Sequence, residues 1–275
     1  MKVANAAEKF ENFMRQGHYP QLNYLKKEKK EIHQAIRQKM INREDKRIVF
    51  EEQRMVAKFV SKGIYQTDYE GFNEYLHNKG MLPFVCDIDG RRINENLYWK
   101  EELEDFQNET AYYVVPSFNK KGKELNQYEP VIPDKDEETL ILLFETNRKQ
   151  LDVAIDKYEG FKKGLILCEE LKSKRKLPHS YGSISLREYP PSYDQFAIYN
   201  EVGPDALIQF GKPNLKRLDK FIEKGLISKK EVDAFKTQID QRLDFVVMSL
   251  DSEQRMLDNF HSKQLRIIEE QKKRA

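Results

Sequence analysis

The spacing of apolar residues in the first 80 residues predicts four amphipathic helices. The first three cover residues 5–16, 21–42 and 48–63. Asn5, three positions before Glu8, marks the start of the first helix, and the capping box Thr67 and Glu70 marks the start of the fourth. We therefore expect the N-terminal region to be helical throughout.

Residues 81–133 differ from the first 80 residues in their pattern of apolar and turn-forming residues, and this pattern predicts a small β insertion. The dipeptide Asp89-Gly90 suits a tight turn and predicts a hairpin over 82–96. A short helix and then a strand over 111–115 follow it. Residues 117–133 show neither the helical nor the strand period, and a loop of this length is usually functional or mobile.

The second half of the chain predicts long helices around an irregular, tyrosine-rich stretch. One helix runs over 134–176, and Gly160 and Gly164 weaken its middle. Short strands are expected over 182–187 and 195–199, within the irregular stretch. A further helix begins after Pro213, which a first helical turn tolerates.

The C-terminal pattern predicts a helix that ends near Gly225 and a terminal helix of about 40 residues that starts at the capping box Ser228 and Glu231. Its apolar face continues almost to the end of the chain and includes Leu257, Phe260 and Ile268. A stripe of that length predicts packing in a coiled coil or bundle.

Together these patterns predict a mainly α fold with a small β insertion, an α+β class with long amphipathic helices. The sequence divides into four regions that differ in charge and in predicted secondary structure. They are a basic helical region (1–80), an acidic β-containing insertion (81–133), a long helix with the irregular excursion (134–213), and a helical hairpin with the terminal helix (214–275).

Charge is distributed in blocks, although 48 Lys/Arg against 46 Asp/Glu leave a net charge of only +2. Residues 1–66 carry 15 basic against 8 acidic side chains, 67–160 carry 11 against 21, and 161–275 carry 22 against 17. This pattern favours either a polyanionic partner or complementary contacts between subunits. The alternative is that charged helical faces are simply solvated.

Composition excludes several classes of protein. The apolar runs are about five residues long, whereas a membrane span needs about 20. Cys86 and Cys168 are isolated, and no apolar signal segment follows Met1, so we expect an intracellular, reducing setting. The five histidines and two cysteines lack the spacings of metal ligands, and phosphate-loop and esterase motifs are absent. We expect neither a metal nor a cofactor.

The second predicted helix is strongly basic and is a candidate for nucleic-acid binding through its phosphate backbone. The candidate residues are Lys26, Lys27, Lys29, Lys30, Arg37 and Arg43. Acidic side chains interrupt the basic run, and only Tyr24 is close enough in sequence to offer a stacking face.

The segment 84–90, with the sequence FVCDIDG, resembles the first motif of haloacid-dehalogenase-type phosphatases. The resemblance implies a hydrolase in which Asp87 is the nucleophile and Asp89 the acid/base. Arg91 departs from that motif, and no alternating strand–helix series follows to build a parallel sheet. The predicted hairpin turn explains the same residues.

Residues 214–239 resemble the SHOCT module, a short helical hairpin associated with C-terminal oligomerisation. The matching positions are Leu215, Leu218, Phe221, Gly225, Ile227, Ser228, Glu231, Val232, Lys236 and Ile239. Over 30 residues follow the segment, whereas the module usually ends its chain. A generic helical hairpin, with Gly225 after one helix and Ser228 capping the next, accounts for the same pattern.

These observations predict a non-enzymatic structural or assembly protein that acts through contacts with protein partners or with copies of itself. A component of a virion or mobile element is one concrete instance. The alternatives are a nucleic-acid-associated protein and a hydrolase centred on Asp87 and Asp89. The candidate interaction residues are Leu218, Phe221, Ile222, Ile227, Val232, Phe235, Ile239, Leu243, Val246 and Leu250.

Overall fold

A computed structural model describes residues 5–274, apart from the side chains of Glu270 and Arg274. The fold is of the α+β class, with 57% helix and 21% strand. The helices are α1 (Ala6–Arg15), α2 (His18–Ile41), α3 (Tyr69–Asn78), α4 (Leu82–Val85), α5 (Gly90–Asn94), α6 (Leu97–Glu102), α7 (Lys120–Glu124), α8 (Glu137–Ile166), α9 (Glu169–Lys174), α10 (Gln195–Glu201), α11 (Asp205–Phe210), α12 (Leu215–Glu223), α13 (Lys229–Asp233) and α14 (Leu250–Arg274).

The strands form three small sheets, in the orders β1-β2-β8, β3-β7 and β4-β6-β5. The pairings β1-β2, β3-β7, β4-β6 and β5-β6 are antiparallel. The strands are β1 (Arg47–Phe50), β2 (Met55–Thr67), β3 (Cys86–Ile88), β4 (Tyr112–Phe118), β5 (Lys176–His179), β6 (Gly182–Glu188), β7 (Gly211–Pro213) and β8 (Lys236–Ser249).

The chain forms two compact units, each assembled from separate stretches of sequence. The first unit comprises residues up to 59, 112–189 and 245–250, and the second comprises 60–111, 190–244 and residues from 251 onward. Each unit therefore brings together stretches that are distant along the chain.

In the first unit, α2 packs along α8. Asn147 of α8 is 2% exposed, and its Nδ2 donates to the carbonyl of Leu25 at 3.1 Å and to Glu28 at 2.6 Å. Phe161 of α8 also stacks on Phe13 of α1, with the ring centroids 4.2 Å apart. Apolar packing with one buried polar contact thus holds the two long helices together.

The second unit has one apolar core with a buried amide in it. The Nδ2 of Asn73 lies 3.2, 3.0 and 2.9 Å from the carbonyl oxygens of Leu207, Ile208 and Gly211, and its Oδ1 accepts from the Cys86 thiol at 3.3 Å. Burial raises the pKa of that thiol to about 12, so it keeps the proton that it donates. Asn73 therefore fixes α3 to α11 and to both strands of the β3-β7 sheet.

Several local predictions are confirmed. The helices expected at 5–16 and 21–42 are α1 and α2, and the strands expected at 111–115 and 182–187 are β4 and β6. The helical hairpin after Pro213 is α12 and α13. At its turn Gly225 has φ 68°, a left-handed conformation that glycine adopts without strain.

The hairpin predicted over 82–96 is wrong. Asp89 caps the N-terminus of α5, where its side chain accepts from the amide of Arg91 at 3.1 Å. The strand before it, β3, pairs with β7, over 120 residues later. Asp-Gly suits a helix start as well as a turn, and the distant pairing decides between them.

The helix predicted over 48–63 and the continuous terminal helix from Ser228 are also wrong. The first is a hairpin of β1 and β2, and the second is interrupted by β8, which lies beside β2. Ile239, Leu243 and Val246 happen to recur at helical spacing, but pairing with a strand distant in sequence overrides that period.

Two further predictions need correction. The strand expected at 195–199 is helix α10, whose N-terminus is capped by Asp194. The helix expected over 134–176 is α8 followed by the short α9, and its break comes at Leu167, not at the glycines. The segment predicted as a loop at 117–133 contains the short helix α7.

Candidate functional site

The most conspicuous surface in the second unit is an apolar stripe on α14. Five large side chains on this helix are between 45% and 61% exposed. At about 100° per residue, these five positions fall within one half of the helix circumference. They are Met256, Leu257, Phe260, Leu265 and Ile268, and we call them the α14 stripe.

Two ion pairs and one apolar contact fix the rotation of α14. Lys263 lies 2.7 Å from Asp219 and Arg266 lies 3.1 Å from Glu223, both on α12. Ile267 packs against the apolar core of the unit. These contacts come from the second half of α14, and the side chains of the α14 stripe remain between 45% and 61% exposed.

The predicted interaction residues lie elsewhere, and most of them are core residues. Leu218, Ile222, Ile227 and Val232 are buried in the α12–α13 hairpin, and Phe221 and Phe235 are partly buried against the same core. On β8, Ile239 and Leu243 are more than half exposed. The half-buried Val246 and Leu250 belong to the first unit.

The α12–α13 hairpin is held to α3 by a hydrogen bond. The Tyr75 hydroxyl donates to Glu231 at 2.6 Å, while Glu231 also completes the capping box with Ser228. The hydrogen bond from Tyr75, with those from Ser228, lowers the pKa of Glu231 to about 2. Burial, with the contact to Glu231, raises the pKa of Tyr75 to about 12. Both groups thus keep the protonation states that this contact needs over a wide pH range.

The basic candidates on α2, together with Arg43 just after its end, fall into paired and unpaired groups. Lys27 pairs with Glu129 at 2.7 Å, and Arg43 pairs with Glu137 at 2.8 Å. Lys29 lies 5.7 Å from the ring centre of Phe144. The other candidates, which form no ion pair with any described residue, are Lys26, Lys30 and Arg37.

The Asp87 and Asp89 carboxylates line an open groove of about 680 Å³ together with basic residues. Asp87 forms an ion pair with Arg217 and accepts from Asn214 Nδ2 at 3.2 Å. Asp89 is the cap of α5. The strand that carries Asp87 has antiparallel β7 as its partner, whereas the phosphatase resemblance implies a parallel sheet. Both carboxylates have structural partners in this arrangement.

Within residues 5–274, no helix combines the length and apolar character needed to span a membrane. The same residues contain no cluster of three or more histidine, cysteine or carboxylate side chains that could hold a metal ion. Comparisons with protein-family models, with curated proteins and with solved structures found no match to this chain.

Proposed function

We propose that this protein is a non-enzymatic assembly protein that associates with a second copy of itself through the α14 stripe. The observation that carries this proposal is the exposure of five large apolar side chains along one side of one helix. Contiguous apolar surface of this kind is costly to leave in water and marks interaction sites. Burying each side chain contributes about 1–2 kcal/mol, against the cost of association.

The order of residues along α14 suits antiparallel pairing of two copies. Leu257 and Ile268 lie at equal distances from the midpoint of residues 262–263 and about 20° apart around the helix, so Leu257 of one copy lies opposite Ile268 of the other, and the two Phe260 rings lie near the centre. Such a pairing is isologous and closes as a dimer, because each copy contributes the same surface.

Charge supports the same orientation. The first half of α14, 251–260, carries three acidic side chains and one basic one. The second half, 261–274, carries five basic side chains and two acidic ones. Antiparallel pairing therefore places the acidic half of one copy beside the basic half of the other, whereas parallel pairing juxtaposes like charges.

The test is the molar mass in solution, measured by light scattering after size exclusion at low and at high salt. For a chain of 32.7 kDa we expect a mass twice that value at both salt concentrations. The variant Leu257→Asp/Phe260→Asp places two charges in the stripe and is expected to run as a monomer. Leu97→Asp, at a 74% exposed position on α6, is the matched control and is expected to remain dimeric.

A charge-pair rescue tests the orientation. In an antiparallel pair, Leu257→Glu alone weakens the dimer, and adding Ile268→Lys restores it because the new charges face each other. A wild-type monomer throughout the accessible concentration range, or a dimer that survives Leu257→Asp/Phe260→Asp, would contradict the proposal.

A further inference from the structure

The basic helix α2 presents different surroundings on its different sides. Apolar residues such as Leu25 and Ile36 face α8 and the core of the first unit. The unpaired cations Lys26, Lys30 and Arg37 follow one another at spacings of four and seven residues, which places them in a line along one side of the helix. We call these three residues the α2 cation stripe.

An acidic segment neutralises other cations of the same helix. Residues 126–137, the acidic strap, connect to α2 through Asn126–Asn23 at 2.9 Å, Glu129–Lys27 at 2.7 Å and Asp134–Lys39 at 2.9 Å. At its end Glu137 pairs with Arg43, two residues beyond α2, at 2.8 Å. Opposite charge blocks of the sequence thus meet within one chain.

The strap is held by side chains. Its residues 128–135 form no backbone–backbone hydrogen bond with any described residue. Ile132 packs against the core, while the Glu129 and Asp134 side chains are 78% and 95% exposed. Ion pairs with such exposed members contribute little stability each. The strap therefore neutralises Lys27 and Lys39 through ion pairs that remain exposed to solvent.

Positive charge on α2 also acts on His33, a neighbour of Arg37 one helical turn away. The pKa of His33 is lowered mainly by its burial and further by the nearby charges of Lys29 and Arg37, although a backbone hydrogen bond with Phe245 opposes the shift. Among the acids of α2, Glu28 is engaged by Asn147 and Tyr24.

The remaining acid of the helix, Glu31, is about 100° around the helix from Lys30, away from the line of the stripe. Lys26 and Lys30 are exposed and Arg37 is half-buried. Lys26 and Lys30 are therefore open to a ligand, and Arg37 is partly so.

We propose that the α2 cation stripe binds the phosphate backbone of double-stranded nucleic acid, and that the acidic strap limits the site by occupying the neighbouring cations. Lys26 and Arg37 are separated by about 16 Å along the helix, a length over which one strand of a duplex presents about five phosphates. Three cations at this spacing reach the backbone without reading base sequence. The proposal stands apart from self-association through α14.

The test uses the full chain and a fluorescent 20-base-pair DNA duplex, with anisotropy measured from 50 to 200 mM salt. The stripe variant is Lys26→Gln/Lys30→Gln/Arg37→Gln. The matched control is Lys27→Gln/Lys39→Gln/Arg43→Gln, which removes the same charge from cations that the chain already pairs. We expect the stripe variant to bind at least tenfold more weakly and the control to stay within about threefold of wild type.

The salt dependence gives a second readout. Three phosphate contacts predict that log K falls with log salt with a slope of about −2.7 in wild type, and this slope should approach zero in the stripe variant. Neutralising the strap by Glu129→Gln/Asp134→Asn frees Lys27 and Lys39. That variant should bind more tightly, with a slope steeper by about 2.

Three results would overturn the proposal. They are no binding of the duplex by wild type at 50 mM salt, equal losses in the stripe variant and its control, and binding of polyglutamate as tight as that of the duplex. The second result would mean that net charge alone drives binding. Urea unfolding of each variant checks that lost binding does not come from lost folding. If a triple variant fails to fold, the single substitution Lys26→Gln replaces the stripe variant and Lys27→Gln replaces the control.

Discussion

The two longest helices of the described chain, α8 and α14, differ in how their apolar faces are covered. On α8, 30 residues long, Leu140, Ile141 and Phe144 are buried against the rest of the first unit. On α14, 25 residues long, the residues of the α14 stripe remain about half exposed. Both helices carry apolar residues at helical spacing, yet only one of them buries its face within the chain.

This difference shows what amphipathic periodicity can and cannot establish. The period predicts that a helix has an apolar face, but not whether the same chain provides the partner for it. For α8 that partner is α2, which lies in the same unit. For α14 we infer that the partner is a second copy, and this difference between the two helices can be tested.

The largest expected effect comes from truncating matched leucines on the two helices. Leu140 is fully buried and Leu257 is 47% exposed. Leu140→Ala removes buried methyl groups and leaves a cavity, so it should lower the free energy of unfolding by about 2–5 kcal/mol. Leu257→Ala should lower it by less than about 1 kcal/mol, because the side chain already contacts water in the monomer. Urea unfolding monitored by circular dichroism measures both values.

This comparison needs a monomeric background, because a dimer adds its own stability at high protein concentration. Phe260→Asp supplies that background for both leucine variants. If Leu140→Ala and Leu257→Ala lower the free energy of unfolding equally, the apolar face of α14 is buried within the monomer. The two helices would then not differ in how their apolar faces are covered.

The sequence predicted correctly the start of those helices that are capped by residues close to it along the chain. The pair Asn5 and Glu8 and the pair Ser228 and Glu231 form true capping boxes, in which each side chain bonds the other's backbone amide. Such signals work because all of the interacting groups lie within four residues of one another. The long α8 was recognisable for the same reason, from its carboxylates in the first turn and its sustained period.

Distant pairing produced the errors at 48–63, at 82–96 and after Ser228. β2 and β8 are separated by more than 160 residues, and nothing in either segment alone reveals the other. This error also displaced the predicted interaction surface, because Ile239 and Leu243 belong to β8 and not to a terminal helix. Leu257 and Phe260 were on the predicted apolar face, but their exposure depends on tertiary packing, which the period does not contain.

An effect of intermediate size is expected at the hairpin that supports α14. Glu231 has its pKa lowered from 4.5 to about 2, so the stability that it contributes is complete above pH 4.5 and is lost as the pH falls towards 2. Tyr75 has its pKa raised from 10.0 to about 12, so its contribution is complete below pH 10 and is lost as the pH rises towards 12. Tyr75→Phe removes the hydrogen bond and should reduce both pH dependences, as measured by thermal unfolding between pH 2 and 12.

Glu169→Gln is the control for the acidic side, since Glu169 forms an exposed pair with Lys172 within one helix turn. It should leave the acid limb of the profile unchanged. If Tyr75→Phe leaves both limbs as they are in wild type, the Tyr75–Glu231 contact does not anchor the hairpin.

The smallest effect is expected from the ion pairs that hold α14 to α12. In Lys263–Asp219 and Arg266–Glu223 every side chain is between 28% and 59% exposed, so each pair contributes about 0.2–1 kcal/mol and is screened by salt. Hydrogen exchange in the Leu257→Asp/Phe260→Asp background should therefore show α14 amides exchanging faster at 1 M salt than at 50 mM. Amides of α8, held by apolar packing, should change little.

Lys263→Ala/Arg266→Ala should bring the low-salt exchange of α14 close to its high-salt rate and remove most of the remaining salt dependence. Lys149→Ala removes an ion pair with Glu145 that lies within α8 itself and should alter neither helix's salt response. If salt instead accelerates exchange in α8 and α14 equally, electrostatics holds both helices to the same extent. The proposed difference between α8, which packs its apolar face within the chain, and α14, which is held by exposed ion pairs, would then be wrong.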